Sequence, residues 1–546
     1  MKQIVMCLVI MLSLPFTARS QSTVTVAVDD PVYRDIERLI DAGLAPHAVV
    51  GQRPYSRESI ALLVREARAS LASMPADGDA GLSSAALSRL LARFAAEVAR
   101  LDGGTADTAA MRWRPLDAVR VDALITDAPT RSIPSNGLGT VEADYNGLTD
   151  YRLGRAYVVG GNVALESEHS IQLPAGISFQ ARPRLLLREG RQAGATTLGG
   201  ELLAATVRGV THNVALTVGR EYTEWSPATG SGLFFSENAP ALDMIRLASD
   251  APFRFPLGLS RLGLVAATLQ LADVGRSDSS SHSRLVSYKV SLKPTDAVEL
   301  GATFENHFGG AGSRPASTFD RLADLVPFID IFRHHVDSTA VDSDKLIGVD
   351  GRVHLRSLGN VSLFGELALE DFDFHRLSSI FTEDAAYTAG VIIPTLVLPT
   401  LSARIGFHTV GLRFYEHHIL RNGIASRRFI LGDNLGRDAS GVFAMLRWET
   451  PGGLSITGDA AADARSNDTY LGSYTNPNLT GLVFTRVNRA PVERRERAVI
   501  SARWFPPGAH TMLELRGGAE RTSNFGFVAR ASELHALAGV TASWYQ

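Results

Sequence analysis

The 546-residue chain has little cysteine, little lysine and no long hydrophobic run. Its one cysteine, Cys7, lies near the N-terminus, so no disulfide framework is expected in the rest of the chain. The formal net charge is −3, from 54 basic and 57 acidic residues, which argues against a nucleic-acid partner because such partners need a basic face. Apolar runs such as 391–398 fall well short of the ~20 residues of a membrane-spanning helix. The sequence therefore argues against a helical membrane protein.

Lysine is scarce: four of the 54 basic residues are lysines, and the other fifty are arginines. Genomic base composition is one explanation for this bias. The other is functional, since planar guanidinium groups make bidentate contacts to carboxylates and suit the interior of a lumen.

The first twenty residues have the pattern of an export signal. Lys2 supplies the positive start, an apolar stretch follows at 4–14, and an A-R-S motif at 18–20 fits a cleavage site. We predict residues 1–20 as a signal peptide, with a mature chain that starts near Gln21. Export of this kind is typical of an envelope protein of a Gram-negative cell.

Residues 29–103 show the spacing of amphipathic helices, with apolar side chains at i, i+3, i+4 and i+7. Gly43 is expected to end the first helix, and the third is expected to run to Leu101. We predict a small bundle of three helices on the periplasmic side. The predicted caps are Asp30, Ser56 and either Ser83 or Ser84.

Residues 115–546 alternate between apolar and polar side chains, which is the period of a β-strand. At 361–370 one face carries Leu363 and Leu367, and the other carries Ser362 and Glu366. In a soluble sandwich the apolar face would be the core, whereas in an outer-membrane barrel it contacts lipid and the polar face lines water. The same split recurs at 213–218, 298–305 and 534–544.

The export signal, the many alternating segments without a domain break and the terminal aromatic pair Trp544 and Tyr545 favour the barrel. We predict an all-β transmembrane β-barrel of about 18 antiparallel strands over residues 115–546, with the helical bundle before it. A helical lid or plug is expected within 321–329. Long external loops are predicted at Glu224–Pro256, His307–Asp344, Glu416–Ser440 and Asp463–Thr480.

Two stretches resemble the Wzi-type family of capsule-assembly outer-membrane proteins. The first is D-P-V-Y-R-D-I-E-R-L at 30–39 with G-Q-R-P-Y-S at 51–56. The second is G-R-E-Y-T-E-W-S-P at 219–227 with G-L-F-F-S-E-N-A-P at 232–240, which is similar to the family pattern W-G-P…L-x-x-S-x-N-A-x-P. Here Ser226 replaces the glycine and Glu237 an asparagine.

The resemblance implies an 18-stranded barrel in the cell outer membrane, closed to simple diffusion, that binds capsular or other surface polysaccharide and assists capsule assembly or attachment. We expect no enzyme activity and no cofactor, and an enzyme inside the barrel, such as a lipase or protease, is a third hypothesis. An alternative function is a porin for sugars or other small solutes.

The helical segment carries a second, weaker resemblance. Residues 51–58, with the helices around them, look like one S-layer-homology repeat, a helix-loop-helix unit that docks to cell-wall polymers. That resemblance implies peptidoglycan as a further partner. The alternative is a bundle that only packs on the periplasmic mouth of the barrel.

One segment carries the side chains that a sugar needs. An aromatic face packs on the apolar side of a pyranose, while amide and carboxylate groups hydrogen-bond its hydroxyls. The alternative is a loop folded into the lumen, with Trp225 as packing and Asn238 as a turn cap. The predicted polysaccharide-binding residues are Tyr222, Glu224, Trp225, Glu237 and Asn238.

Metal and catalytic sites are not predicted. Neighbouring residues on a strand point in opposite directions, so His334-His335 and His417-His418 do not form a ligand set. Asp371, Asp373 and His375 would share a face, which fits a polar lumen or rim better than a cation site. No nucleophile motif such as G-x-S-x-G marks an enzyme.

Overall fold

The computed structural model describes most of the chain. The predicted signal peptide, His334, His335, the segment 371–375 and most of the predicted lid at 321–329 lie outside the described residues. The described residues are 23–73, 80–103, 111–174, 176–190, 196–228, 232–278, 280–311, 313, 324–326, 343–370, 380–474 and 482–546.

Eighteen strands form one closed antiparallel barrel. Each strand pairs with the next along the chain, and the last pairs with the first from Ala118–Tyr545 to Thr126–Leu537. The barrel strands are β1 Arg112–Thr126, β2 Gly160–Leu173, β3 Ile177–Gly190, β4 Thr196–Thr211, β5 Val214–Glu221, β6 Leu242–Ser249, β7 Leu264–Asp273, β8 Arg284–Thr295, β9 Val298–Phe308, β10 Ser343–Leu355, β11 Val361–Glu370, β12 Ala385–Ile393, β13 Leu401–Val410, β14 Ala439–Glu449, β15 Leu454–Arg465, β16 Glu493–Trp504, β17 Thr511–Ser523 and β18 Ser532–Tyr545.

The side-chain pattern of these strands is the reverse of that of a soluble protein. On β11, Leu363 is 46% exposed, whereas Ser362 is 0% and Glu366 4% exposed. On β18, Leu534 and Val540 are likewise exposed, whereas Thr541 is buried. Apolar side chains thus cover the outside and polar ones fill the inside, which suits a wall that crosses lipid. The predicted transmembrane barrel is confirmed.

Short turns and the N-terminal helices lie at one end of the barrel, called here the turn end. Long loops lie at the other end, called the loop end. The N-terminal helices pack around one apolar core that includes Ile36, Ile60 and Phe94. Among the described residues, none of the helices has the length and apolarity to cross a bilayer. The helices are α1 Val32–Asp41, α2 Arg57–Ala72, α3 Ala80–Arg93, α4 Ala95–Leu101 and, at the loop end, the short α5 Ile380–Glu383.

Two of the three predicted helix caps accept hydrogen bonds from amides at the start of their helix. The Asp30 carboxylate accepts a hydrogen bond from the Val32 amide at 2.9 Å, and the Ser56 hydroxyl accepts one from the Ser59 amide at 3.1 Å. The prediction of one long third helix capped at Ser83 or Ser84 is wrong, because α3 already begins at Ala80 and α4 follows separately. Phe94 breaks the helix, with φ −110° and ψ 20°, and its ring is fully buried in the bundle core.

The loop end differs from the prediction in two places. β6 runs through the predicted loop Glu224–Pro256, so the inward loop ends at Ala241 and residues 250–256 lie at the turn end. A long loop at 127–159 joins β1 to β2 and was missing from the prediction. The division of the chain into a signal peptide at 1–20, a helical bundle at 29–103 and a barrel at 115–546 stays a prediction.

A charge on the outer face should destabilise the barrel according to its depth. We expect Val349→Arg, at the middle of β10, to lower the free energy of unfolding by about 2–4 kcal/mol, because the position faces lipid and is 57% exposed. Leu198→Arg, near the loop end of β4, should cost about 0–1 kcal/mol. Urea unfolding in lipid vesicles measures both, and equal small effects would contradict a membrane-facing wall.

Candidate functional site

The N-terminal segment 23–56, called here the N-terminal plug, enters the lumen from the turn end. The carboxylate of Glu299 on β9 accepts hydrogen bonds from the amides of Val50, at 3.0 Å, and Gly51, at 2.8 Å. A Cβ atom at position 51 would stand 3.1 Å from Glu299 Oε1 and 3.2 Å from Ser291 Oγ, so glycine permits this close approach. The plug is therefore fixed to the wall by its backbone.

A charged cluster holds the start of the N-terminal plug against the opposite wall. The Asp29 carboxylate accepts two hydrogen bonds from Arg182, at 2.7 and 3.0 Å, and one from Arg155, at 2.8 Å. Arg155 also donates to both carboxylate oxygens of Glu166, at 2.7 and 2.8 Å. Burial would raise the pKa of Asp29, but the charges of Arg182 and Arg155 outweigh it and hold that pKa well below its usual value.

Arg53 joins the N-terminal plug to an inward loop. Its amide donates to the Glu224 carbonyl at 2.8 Å, and the Glu224 amide donates back to the Arg53 carbonyl at 3.1 Å. The Arg53 guanidinium lies 3.0 Å from a carboxylate oxygen of Glu37 and 3.5 Å from one of Glu224. Although burial pushes the pKa of Glu37 up, the charges of Arg53 and Arg404 lower it, so Glu37 stays ionised.

The described parts of the inward loop, residues 222–228 and 232–241, are called here the loop plug because they fold into the lumen. Trp225 is 1% exposed and packs edge-on against Phe235, with ring centroids 5.0 Å apart. The Trp225 amide donates to the Phe235 carbonyl at 2.9 Å. The amide of Leu233 donates to the carboxylate of Glu366 on the barrel wall at 3.1 Å. The loop plug thus has its own small core and a contact to the wall.

Asn238 connects the loop plug to two other loops. Its side-chain amide nitrogen donates to the Ile430 carbonyl at 2.9 Å and to the Asn434 side-chain oxygen at 3.2 Å. Its side-chain oxygen accepts from the Tyr151 amide at 3.3 Å. Loops 127–159, 222–241 and 411–438 are therefore locked together, and the lumen is covered from the loop end as well.

The remaining predicted residues lie in the same interior. Tyr222 is buried in an apolar cluster with Val28 and Leu153. The carbonyl of Glu237 accepts a hydrogen bond from the Leu153 amide at 2.6 Å. Burial, and then the nearby charge of Glu224, raise the pKa of Glu237 to about 8. Glu237 is therefore protonated at neutral pH.

The five predicted polysaccharide-binding residues are brought together, but inside the protein. Tyr222, Glu224, Trp225 and Asn238 are at most 4% exposed, and Glu237 is partly buried. Their side chains or backbones have partners within the chain. Sugar binding by these residues stays a prediction, because this closed arrangement leaves them little contact with solvent.

Sequence reasoning missed Asp29 and Arg53, the two residues that connect the N-terminal plug to the wall and to the loop plug. The only available signal was their position in or beside the stretches 30–39 and 51–56, which carry the family resemblance. For metals, no group of three or more histidine, cysteine or acidic side chains could hold an ion in the part of the chain that is described. His417 instead accepts hydrogen bonds from the amides of Ile419 and Leu420.

A family model, "Capsule assembly protein Wzi", matches residues 147–534. The chain belongs to the Wzi capsule-assembly family. The chain is an 18-stranded barrel of this family with an apolar outer surface. It lies in the outer membrane, as the sequence predicts. No curated protein matches the chain in sequence.

Among solved structures, the chain is similar to Wzi of Escherichia coli, which is described as an outer-membrane, carbohydrate-binding β-barrel involved in group 1 capsule assembly. That match has a TM-score of 0.63 and 16% identity, and it covers 95% of this chain and 98% of that one. It shows the same fold. OpdQ and OccD3 of Pseudomonas aeruginosa match with TM-scores of 0.39 and 0.41 and identities of 10% and 9%. The matched regions span 78% and 80% of this chain, and 96% of the OpdQ chain and 93% of the OccD3 chain.

The raised pKa of Glu237 gives a pH dependence of known sign. An acid whose pKa is raised by folding holds its proton more tightly in the folded state, so stability falls as pH rises above the unfolded pKa and levels off above the folded one. We expect the wild type to lose at least about 1.4 kcal/mol between pH 5 and pH 9, since one pKa unit corresponds to that amount. Glu237→Gln should make this loss smaller, while other buried acids with a raised pKa, such as Glu416 and Asp150, keep part of it. Urea unfolding at each pH measures it, and parallel curves for the two proteins would contradict the assignment.

Proposed function

We propose that this chain is a non-enzymatic outer-membrane barrel that binds surface polysaccharide and assists capsule assembly or attachment. Membership of the Wzi family and the likeness of its fold to a carbohydrate-binding barrel support the proposal. The turn end faces the periplasm and the loop end faces the outside, because barrels of this type keep their periplasmic turns short.

The observation that carries the proposal is that segments of the chain occupy the lumen at two levels. The N-terminal plug fills it from the turn end and the loop plug from the loop end, and Arg53 with Glu224 joins the two. A general diffusion channel needs an open path through the barrel. A sealed barrel is better suited to hold a ligand on its outer surface than to conduct solutes.

Binding would use the exposed side chains of the loop end. His418, Arg421 and Arg427 are exposed there, and the guanidinium of Arg428 is paired with Asp144 at 2.6 Å. Guanidinium groups bind sugar acids and hydroxyls by charge-assisted and ordinary hydrogen bonds. Many weak contacts of this kind to a repeating polymer add up through multivalency.

The other partners follow from the two remaining surfaces. Outer-membrane lipid is the partner of the apolar outer face. Peptidoglycan is a less favoured partner, since the segment that resembles a wall-binding repeat is already engaged inside the barrel. Gln52, for example, donates to the Ser291 hydroxyl at 3.0 Å and to the Ala266 carbonyl at 2.9 Å. We therefore favour the helices as a closure of the periplasmic mouth.

Capsule retention tests the function. A strain that lacks this protein should still make capsule but release it into the medium, because the surface attachment is lost. Cell-bound and released polysaccharide are measured separately, and the strain complemented with the wild-type gene is the control. Unchanged retention in the deletion strain would overturn the proposal.

The same strain discriminates between the two interpretations of the predicted site. Trp225→Ala should lower the amount of folded barrel if Trp225 only packs the loop plug. If it contacts sugar, the folded barrel should reach wild-type amounts while capsule is shed. Folded and unfolded barrels are separated by their different migration in unheated gels.

Conductance in planar bilayers tests the seal. We expect the wild-type protein to be silent, and Arg53→Ala to give openings, because the change removes a buried positive charge that Glu37 and Glu224 share. Arg254→Ala, an exposed arginine at the turn end, is the matched control and should stay silent. Large steady currents from the wild type would favour the porin instead.

A further inference from the structure

A chamber remains in the lumen between the two plugs. Its volume is about 310 Å³, room for roughly ten water molecules at ~30 Å³ each. The wall contributes strand residues from β1 and from β13 to β18, and the floor and roof are formed by α1 and by residues of the loops near Tyr151 and Glu237. The chamber is therefore bordered by wall, helix and loops, and its volume suits a small molecule.

The lining contains eight arginines and seven acidic residues, but most of the acids are already neutralised. Asp29, Asp30, Glu37 and Glu514 are in ion pairs, and Asp122 lies 3.9 Å from Arg120. Several of these pairs use arginines outside the lining, namely Arg182, Arg93 and Arg53. Glu237 holds a proton at neutral pH. Apart from Glu237, Asp459 is the one lining carboxylate that forms no ion pair among the described residues.

Four lining arginines form no ion pair in the part of the chain that the structure covers, and one of them, Arg152, lies over the Tyr157 ring. Arg34 on α1 and Arg516 on β17 make no side-chain hydrogen bond, and Arg447 on β14 contacts only the Met445 sulfur at 3.6 Å. The Nε atoms of Arg447 and Arg516 are buried and unbonded. Arg447 and Arg516 lie at the same level of the wall, three strands apart, through the pairs Arg447–Thr457, Thr457–Ser501 and Ser501–Arg516. Burial, and then the charges of Arg503 and Arg447, lower the pKa of Arg34 to about 9, although the charges of Glu514 and Glu449 act in the opposite direction.

Partly buried charges of this kind are costly unless a counter-ion balances them. Four guanidinium groups without an ion pair share the chamber with one unpaired carboxylate, so the chamber has a surplus of positive charge. Guanidinium groups bind carboxylate and phosphate through paired hydrogen bonds, whereas a neutral sugar offers no charge to them.

We propose that Arg34, Arg447 and Arg516 form an anion site in this chamber, which takes a small carboxylate- or phosphate-bearing molecule of about the size of a sugar. The site is distinct from the external loops, so its existence does not depend on the binding of polysaccharide at the cell surface. The two sources of the anion are an acidic sugar and a free phosphate.

Calorimetric titration of the full-length protein in detergent tests the site. Sodium glucuronate, sodium phosphate and glucose are titrated separately at low chloride. We expect at least one of the two anions to bind and glucose to give no heat of binding. Glucuronate alone would identify a sugar acid, phosphate alone a phosphate group, and both a general oxyanion site. Absence of binding by either anion, or equal binding of glucose, would overturn the proposal.

The double variant Arg447→Gln, Arg516→Gln should raise the Kd at least tenfold, while Arg254→Gln, which removes an exposed charge at the turn end, should leave it within twofold. Gel migration without heating shows whether each variant is folded. If the double variant fails to fold, the single variant Arg516→Gln replaces it, since this side chain makes no hydrogen bond that its loss would break. Wild-type affinity in a folded variant would overturn the assignment of these residues.

Discussion

Closure of the strand ring is the constraint on which the rest of this structure depends. Lipid offers no hydrogen bonds, so every strand must pair on both sides, and alternate side chains must then point into the lumen. The lumen consequently receives charged wall residues such as Arg182, Glu299 and Arg352. The N-terminal plug supplies their partners, because Asp29 and Asp41 bind the two arginines and the Gly51 amide binds the glutamate. The seal is thus a result of neutralising the inner wall.

The arginine bias of the sequence is used in this neutralisation. Arg155 spans two carboxylates, with two hydrogen bonds to Glu166 and one to Asp29, and Arg182 makes a two-point contact with Asp29. A lysine ammonium lacks the planar fork that makes such two-point contacts with a carboxylate. The planar guanidinium accounts for how few groups suffice to connect the N-terminal plug to the wall.

The features predicted correctly from the sequence depend on short-range patterns. The alternation at 361–370 gives the two faces of β11, and Ser56 caps α2 because the cap bonds only three residues away. The features that were missed depend on distant partners. The break at Phe94 follows from packing of its ring in the bundle core, and the pairing of Arg53 with Glu224 requires the closed barrel to bring them together. No local pattern carries that information.

The segment around Trp225 shows why chemistry alone did not locate the candidate site. An aromatic face with nearby amide and carboxylate groups suits a sugar, but the same groups suit a loop that must bury itself in a polar lumen. Asn238 uses its whole side chain to join the loops that carry Tyr151 and Ile430. Loops tied together in this way form a firm base for the exposed side chains above them. A polymer that binds such a base loses less free energy to the ordering of loops, so weak individual contacts suffice to hold it.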